Sequence, residues 1–172
     1  MKKILIVEDT KENLQAAKSF FSTVKGFEFM YATSRKEAQE LLPVADALLT
    51  DRSMPFLSTD SIGSYSNLKR DNDYKVLLER NGYDLLAQAV VMGIPRLMFT
   101  NHGTSNFFIT LENKEICEEA LRLKEDDYDA EHRLRILASV NNEAKRHRLE
   151  EYVTKDKSSS WELAWIELQK QF

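Results

Sequence analysis

Short, wholly apolar runs alternate with stretches of helical spacing along this chain, and that alternation limits the fold more than any other feature. Ile4-Leu5-Ile6-Val7 is a continuous run of β-rich residues, as expected of a strand buried on both faces. Leu14, Ala17, Phe20, Phe21 and Val24 then recur at helical spacing within 11–25. Phe27 to Ala32 reads as a second strand. Ser34-Arg35-Lys36-Glu37 has the form of a capping box, ahead of a short helix with Ala38, Leu41 and Leu42 on its apolar face. Ala45 to Thr50 is a third strand, 82–92 a helix, and Arg96 to Thr100 a fourth strand after Gly93-Ile94-Pro95. Residues 112–124 read as a helix and Leu134 to Val140 as a fifth strand. Ser160 is placed to cap a last helix whose apolar face is Trp161, Ala164, Trp165, Leu168 and Phe172. Five strands alternating with helices predict a doubly wound parallel sheet, covered by helices on both faces.

At 172 residues the expectation is one domain, 1–172, with long polar loops at 52–80, 101–111 and 141–158. All three loops follow strands, which places them on the edge of the sheet where ligands bind in such folds. A net charge of -4, without a concentrated basic stripe, argues against nucleic acid as a partner. No apolar run approaches the roughly 18 residues a membrane helix needs. The apolar stretch within MKKILIVED is too short for a signal peptide. A single cysteine, Cys117, excludes an internal disulfide framework and reads as a buried thiol, so the expected compartment is the cytoplasm.

Three strand ends carry the chemistry: Glu8-Asp9 after the first, Asp51 after the third, and Thr100 closing the fourth. With the first strand central and the third and fourth on one side of it, these tips converge. Three carboxylates in one crevice repel, which raises at least one pKa, and a divalent cation relieves the repulsion. An all-oxygen set suits Mg²⁺. A hydroxyl at Thr100 can meet an anion held by the same metal, and Asp51 can then act as a nucleophile that accepts a phosphoryl group. Each residue also has a plainer reading. Asp51 can cap a turn, Glu8 and Asp9 can favour the first helix N-terminus, and Thr100 can be a turn hydroxyl. His102, in Asn101-His102-Gly103, is a candidate metal ligand or general acid–base, or a solvated loop residue. His132 and His147 read as surface residues. Trp161 and Trp165, four apart on an apolar face, read as core.

KKILIVEDTKENL, LLTDRSMP and GIPRLMFT occur in that order, and together they resemble the receiver domain of bacterial two-component response regulators. The resemblance covers residues 2–55 and about 82–100. It implies a flavodoxin-like, CheY-like sheet of order 2-1-3-4-5. It implies Mg²⁺ held by Glu8, Asp9, Asp51 and the backbone carbonyl of Ser53. It also implies phosphorylation of Asp51 by a histidine kinase, with Thr100 as the switch hydroxyl and Ser53 facing the site. The family carries a Lys at the tip of strand five. RILASVNN offers none, so Lys145, a few residues on, and Lys114, ahead of a helix, are the candidates to supply that cation. The function expected is a single-domain signalling receiver with output through protein contacts. The alternative is a pseudo-receiver interaction module that is not phosphorylated. A weaker third reading, a small phosphotransfer or hydrolytic enzyme using His102, leaves open whether the chain turns over a substrate.

Overall fold

The computed structural model describes residues 1–52, 81–102, 105–126, 140, 142–149 and 153–172. Its centre is a six-stranded sheet built from β1 (Lys2–Val7), β2 (Phe27–Ala32), β3 (Ala47–Thr50), β4 (Arg96–His102), β5 (Ser105–Thr110) and β6 (Lys145–Arg148), in spatial order β2-β1-β3-β4-β5-β6. The first four in space are parallel, with Val7 opposite both Ala32 and Thr50, and Thr50 opposite Met98. This register brings the residues after Val7 and Thr50 to one edge.

Five helices among the described residues cover the two faces: α1 (Lys11–Phe21), α2 (Arg35–Leu41), α3 (Asn81–Met92), α4 (Lys114–Asp126) and α5 (Ser158–Gln169). Alternation of side chains along each strand divides the core. Ile4, Ile6, Leu49, Leu97 and Phe99 face α1 and α5, where Phe21, Trp161 and Trp165 stack edge to face. Leu5, Val7 and Leu48 face α2 and α3. Met98 and Ile109 pack under α3 and α4, together with Cys117 and Val140. The two tryptophans are core residues, as their spacing predicted.

Local signals read from the sequence hold at several element ends. Ser34 accepts from the Glu37 amide at 3.2 Å, and Glu37 reaches back to Thr33 rather than to Ser34, accepting from its amide at 2.7 Å. Gly93 ends α3 with φ of 70°, a left-handed conformation that favours glycine. Ser160 is a correction. It lies inside α5 rather than capping it, and its hydroxyl donates to the Thr154 carbonyl at 2.6 Å.

The larger correction concerns the far side of β4. Residues 101–111, expected as loop, continue β4 to His102 and return as β5, antiparallel to β4 with Thr100 opposite Phe107. β6 then pairs antiparallel with β5 and lies within 141–158, a stretch expected as loop. Among the described residues the sheet is therefore parallel-dominated, with six strands rather than five. The expected fifth strand, Leu134 to Val140, falls outside the described residues except for Val140, which is buried and lies outside the sheet. The physical reason lies in sequence pattern. Asn106-Phe107-Phe108-Ile109 is as β-prone as any predicted strand, and it pairs directly with its predecessor, without a crossover.

Candidate functional site

β1 and β3 end side by side, and their last backbone contacts fix the carboxylates. The Glu8 amide donates to the Ala32 carbonyl at 3.0 Å, and the Asp51 amide to the Val7 carbonyl at 2.9 Å. Carboxylate oxygens of Glu8, Asp9 and Asp51 lie within 4.8 Å of one another. The convergence expected from the sequence is present.

A cation that the sequence reading missed completes the group. Lys155 Nζ donates to Glu8 Oε2 at 3.0 Å and to Asp51 Oδ1 at 2.5 Å. Its side chain is 3% exposed, that of Glu8 1% and that of Asp51 15%. Glu8 is held further through Oε1, which accepts from the Thr10 amide at 3.1 Å and from Asn13 Nδ2 at 3.2 Å. Glu8 therefore faces the cluster and also tethers the start of α1. The ammonium lies 5.2 Å from the Phe99 ring centroid and 5.8 Å from that of Trp161.

Lys114 and Lys145 are elsewhere. Lys114 pairs with Glu118 one turn along α4 at 3.6 Å, and Lys145 pairs with Glu112 at 2.6 Å, both on exposed surface. β5 runs antiparallel to β4, so it carries the chain away from the tips. Lys114 and Lys145 sit at the opposite edge, and β6 brings the chain back toward the tips before Lys155. Lys155 lies three residues before α5, in a stretch the sequence reading expected as loop.

The electrostatics follow from burial and crowding. Burial, then the charges of Glu8 and Asp51, push the Asp9 carboxyl up to about 6, against a lowering by its own backbone hydrogen bond and by Lys155. Burial opposes the charged form of Lys155, but the charges of Asp51 and Glu8 and the hydrogen bonds to both outweigh it and hold its pKa above the ordinary lysine value. Two carboxylates thus share an ammonium, while Asp9 is driven toward its neutral form. An all-oxygen, partly uncompensated set of this kind fits a hard divalent cation such as Mg²⁺.

The other expected residues stand as follows. Thr100 is buried in β4 one position beyond Phe99, and its hydroxyl donates to the Asn101 carbonyl at a long 3.5 Å. The backbone of His102 closes β4 opposite Ser105, in a strand rather than the loop expected. Ser53 and His132 lie outside the described residues, and His147 is exposed on β6. Gly82, at the start of α3, donates its amide to the Arg52 carbonyl at 2.9 Å. A Cβ there would overlap the Asp51 carbonyl oxygen and come within 2.8 Å of Arg52 Cα. The start of α3 therefore rests directly on the backbone of Asp51 and Arg52. No helix among the described residues is long and apolar enough to cross a membrane.

No family model matches the chain, and no curated protein matches it. Among solved structures, it is similar to the crystal structure of a response regulator receiver domain protein from Clostridium thermocellum. The identity is 18% over 83% of this chain and 93% of that one, with a TM-score of 0.40.

Proposed function

We propose that the chain is a receiver-type signalling module in which Asp51 accepts a phosphoryl group with the help of Mg²⁺. The observation that carries this reading is the buried Lys155 ammonium on Asp51, beside the cluster of Glu8, Asp9 and Asp51. A strand-end carboxylate whose role was to cap a turn would need neither a buried cation nor two acidic neighbours. Placing a buried and two half-buried carboxylates around a buried ammonium carries a desolvation cost that a turn cap does not require.

In the proposed reaction a carboxylate oxygen of Asp51 attacks the phosphorus of a donor, and the bond to the donor's leaving group breaks with its electron pair. The histidine kinase expected of such a system would supply the donor, and output would pass through protein contacts. Glu8, Asp9 and Asp51 would hold Mg²⁺, which neutralises phosphoryl charge when bound. Lys155 would move from the carboxylate to an oxygen of the new phosphoryl group, with a charge-assisted hydrogen bond in either state. Thr100 is the proposed switch hydroxyl, in competition with its weak contact to the Asn101 carbonyl.

Incubation with Mg²⁺ and acetyl phosphate, followed by intact mass, tests the reaction. Beryllofluoride, a mimic of the phosphoryl group, tests the bound state by NMR. An adduct in the wild type that is lost in Asp51→Asn supports the proposal. Mg²⁺ binding without any adduct would replace it with the pseudo-receiver reading, a module that keeps the acidic cluster and works through contacts alone.

A further inference from the structure

We infer that Asn106, Ser160 and Trp161 are positioning residues that place the Lys155 ammonium by gripping three successive carbonyls of its turn. Asn106 Nδ2 donates to the Val153 carbonyl, Ser160 Oγ to the Thr154 carbonyl at 2.6 Å, and Trp161 Nε1 to the Lys155 carbonyl at 2.7 Å. All three donors are buried, at 0%, 0% and 1% exposure. They come from two elements, β5 and α5, so the turn is fixed to the sheet and to a helix at once. The Lys157 amide closes the turn on the Thr154 carbonyl at 3.2 Å.

A side-chain donor on each of three consecutive carbonyls is more than a turn needs. The Lys155 carbonyl is buried and those of Val153 and Thr154 half-buried, so side chains rather than water serve them, where an ordinary turn closes with a single backbone bond. The grip makes sense for what it presents. Lys155 does not stand on a strand, so no ladder sets its height above the tips of β1 and β3. A flexible four-carbon stem on a loose turn would sample many positions, at a large loss of rotamer entropy on pairing. Trp161 acts at both ends of that stem, with its N–H on the Lys155 carbonyl and its ring beside the ammonium. The turn is therefore preorganised, and the ammonium is delivered to Asp51 with little further ordering.

The inference deepens the phosphoacceptor reading, since it concerns the cation of that site, but its first readout does not depend on phosphorylation. The native protein is treated with acetic anhydride and acylation of Lys155 is followed by peptide mass spectrometry, with exposed Lys11 as internal reference. Trp161→Phe keeps a ring and removes the N–H. Ser160→Ala removes the hydroxyl, and Ser160→Thr retains one. Leu86→Ala, on the other face of the sheet, lowers stability without touching the turn and controls for global loosening. The expected result is acylation of Lys155 about fivefold faster in Trp161→Phe and in Ser160→Ala, the loss of one net hydrogen bond each. Ser160→Thr and Leu86→Ala should stay at the wild-type rate. Beryllofluoride affinity should fall by a similar factor in the first two variants. Lys155 reacting no faster in them than in Leu86→Ala would overturn the inference. A wild type that binds no beryllofluoride would defeat the phosphoacceptor reading and leave the acylation result to decide the positioning role.

Discussion

Replacing Lys155 by Met removes one charge and keeps an apolar stem against Phe99 and Trp161. Glu8 is then left buried without its ammonium, next to Asp51 and Asp9. Breaking one partner out of a buried ion pair costs about 3–5 kcal/mol. Asp51 keeps some contact with solvent, and Asp9 can take up a proton, so the lower end, about 3 kcal/mol, applies. For a chain of this size each kcal/mol moves Tm by about 2–4 °C. Thermal unfolding in EDTA at pH 7.5 should therefore show the variant melting about 6–12 °C below the wild type. The charge argument then demands a second result. Mg²⁺ enters the variant's cluster without displacing an ammonium, so the variant should bind the metal more tightly. At about 100 times the variant's Kd the ion stabilises the variant by about 2.7 kcal/mol and the more weakly binding wild type by less, so the gap narrows. Calorimetry of Mg²⁺ binding and a melt with and without the ion check both halves. Equal melting temperatures in EDTA, or equal Mg²⁺ shifts in the two proteins, would refute the reasoning.

Asp9 sets a pH dependence. Its pKa, about 6 folded against an ordinary 3.8, means the folded chain keeps a proton that the unfolded chain has lost, so stability falls as pH rises through that window and the full penalty stands above it. Without divalent ions, Asp9→Asn should be more stable than the wild type at pH 8 and converge with it toward pH 4 in denaturant titrations; Mg²⁺ should stabilise the wild type more than the variant. Gly82→Ala forces a methyl group onto the backbone of Asp51 and Arg52, so it should cost about 1–3 kcal/mol and shift the amide resonances of those two residues; a silent substitution would mean that α3 does not rest there. Burial pushes the Cys117 thiol up to about 11, so a disulfide reagent at pH 8 should leave the native protein unmodified and titrate one thiol after denaturation.

The parallel half of the molecule was legible because its signals are local and mutually consistent. β1 to β4 are apolar runs bounded by turn residues, and the capping box at Ser34 marked a helix start correctly. The acidic cluster was legible for the same reason, since a carboxylate placed directly after a buried strand has one place to go. The antiparallel half was not. Ser105–Thr110 followed a strand without the helical spacing expected of a crossover, and KRHR of β6 has no apolar residue to announce a strand. An edge strand lacks the burial on both faces that makes its neighbours recognisable, and charge suits an exposed edge. Lys155 was missed because its burial depends on distant chain: Phe99 on β4 and the ends of β1 and β3, where Glu8 and Asp51 stand, join Trp161 of α5 around it.

The ammonium of Lys155 meets Asp51 across 104 residues of sequence and Glu8 across 147. Contacts of such separation form only after the loop between them has closed, and they reward the chain late. During synthesis β1 and β3 emerge with Glu8, Asp9 and Asp51 at their tips, long before the Lys155 ammonium is made. The folding nucleus is expected in the β1–β3 layer with α1. The Lys155 ammonium can offset the charge of Glu8 and Asp51 only once α5 and its turn have docked. In kinetic terms, substitutions in the Lys155 turn should accelerate unfolding and leave the folding rate nearly unchanged. The contact of Lys155 with Glu8 and Asp51 thus depends on the two ends of the chain having met.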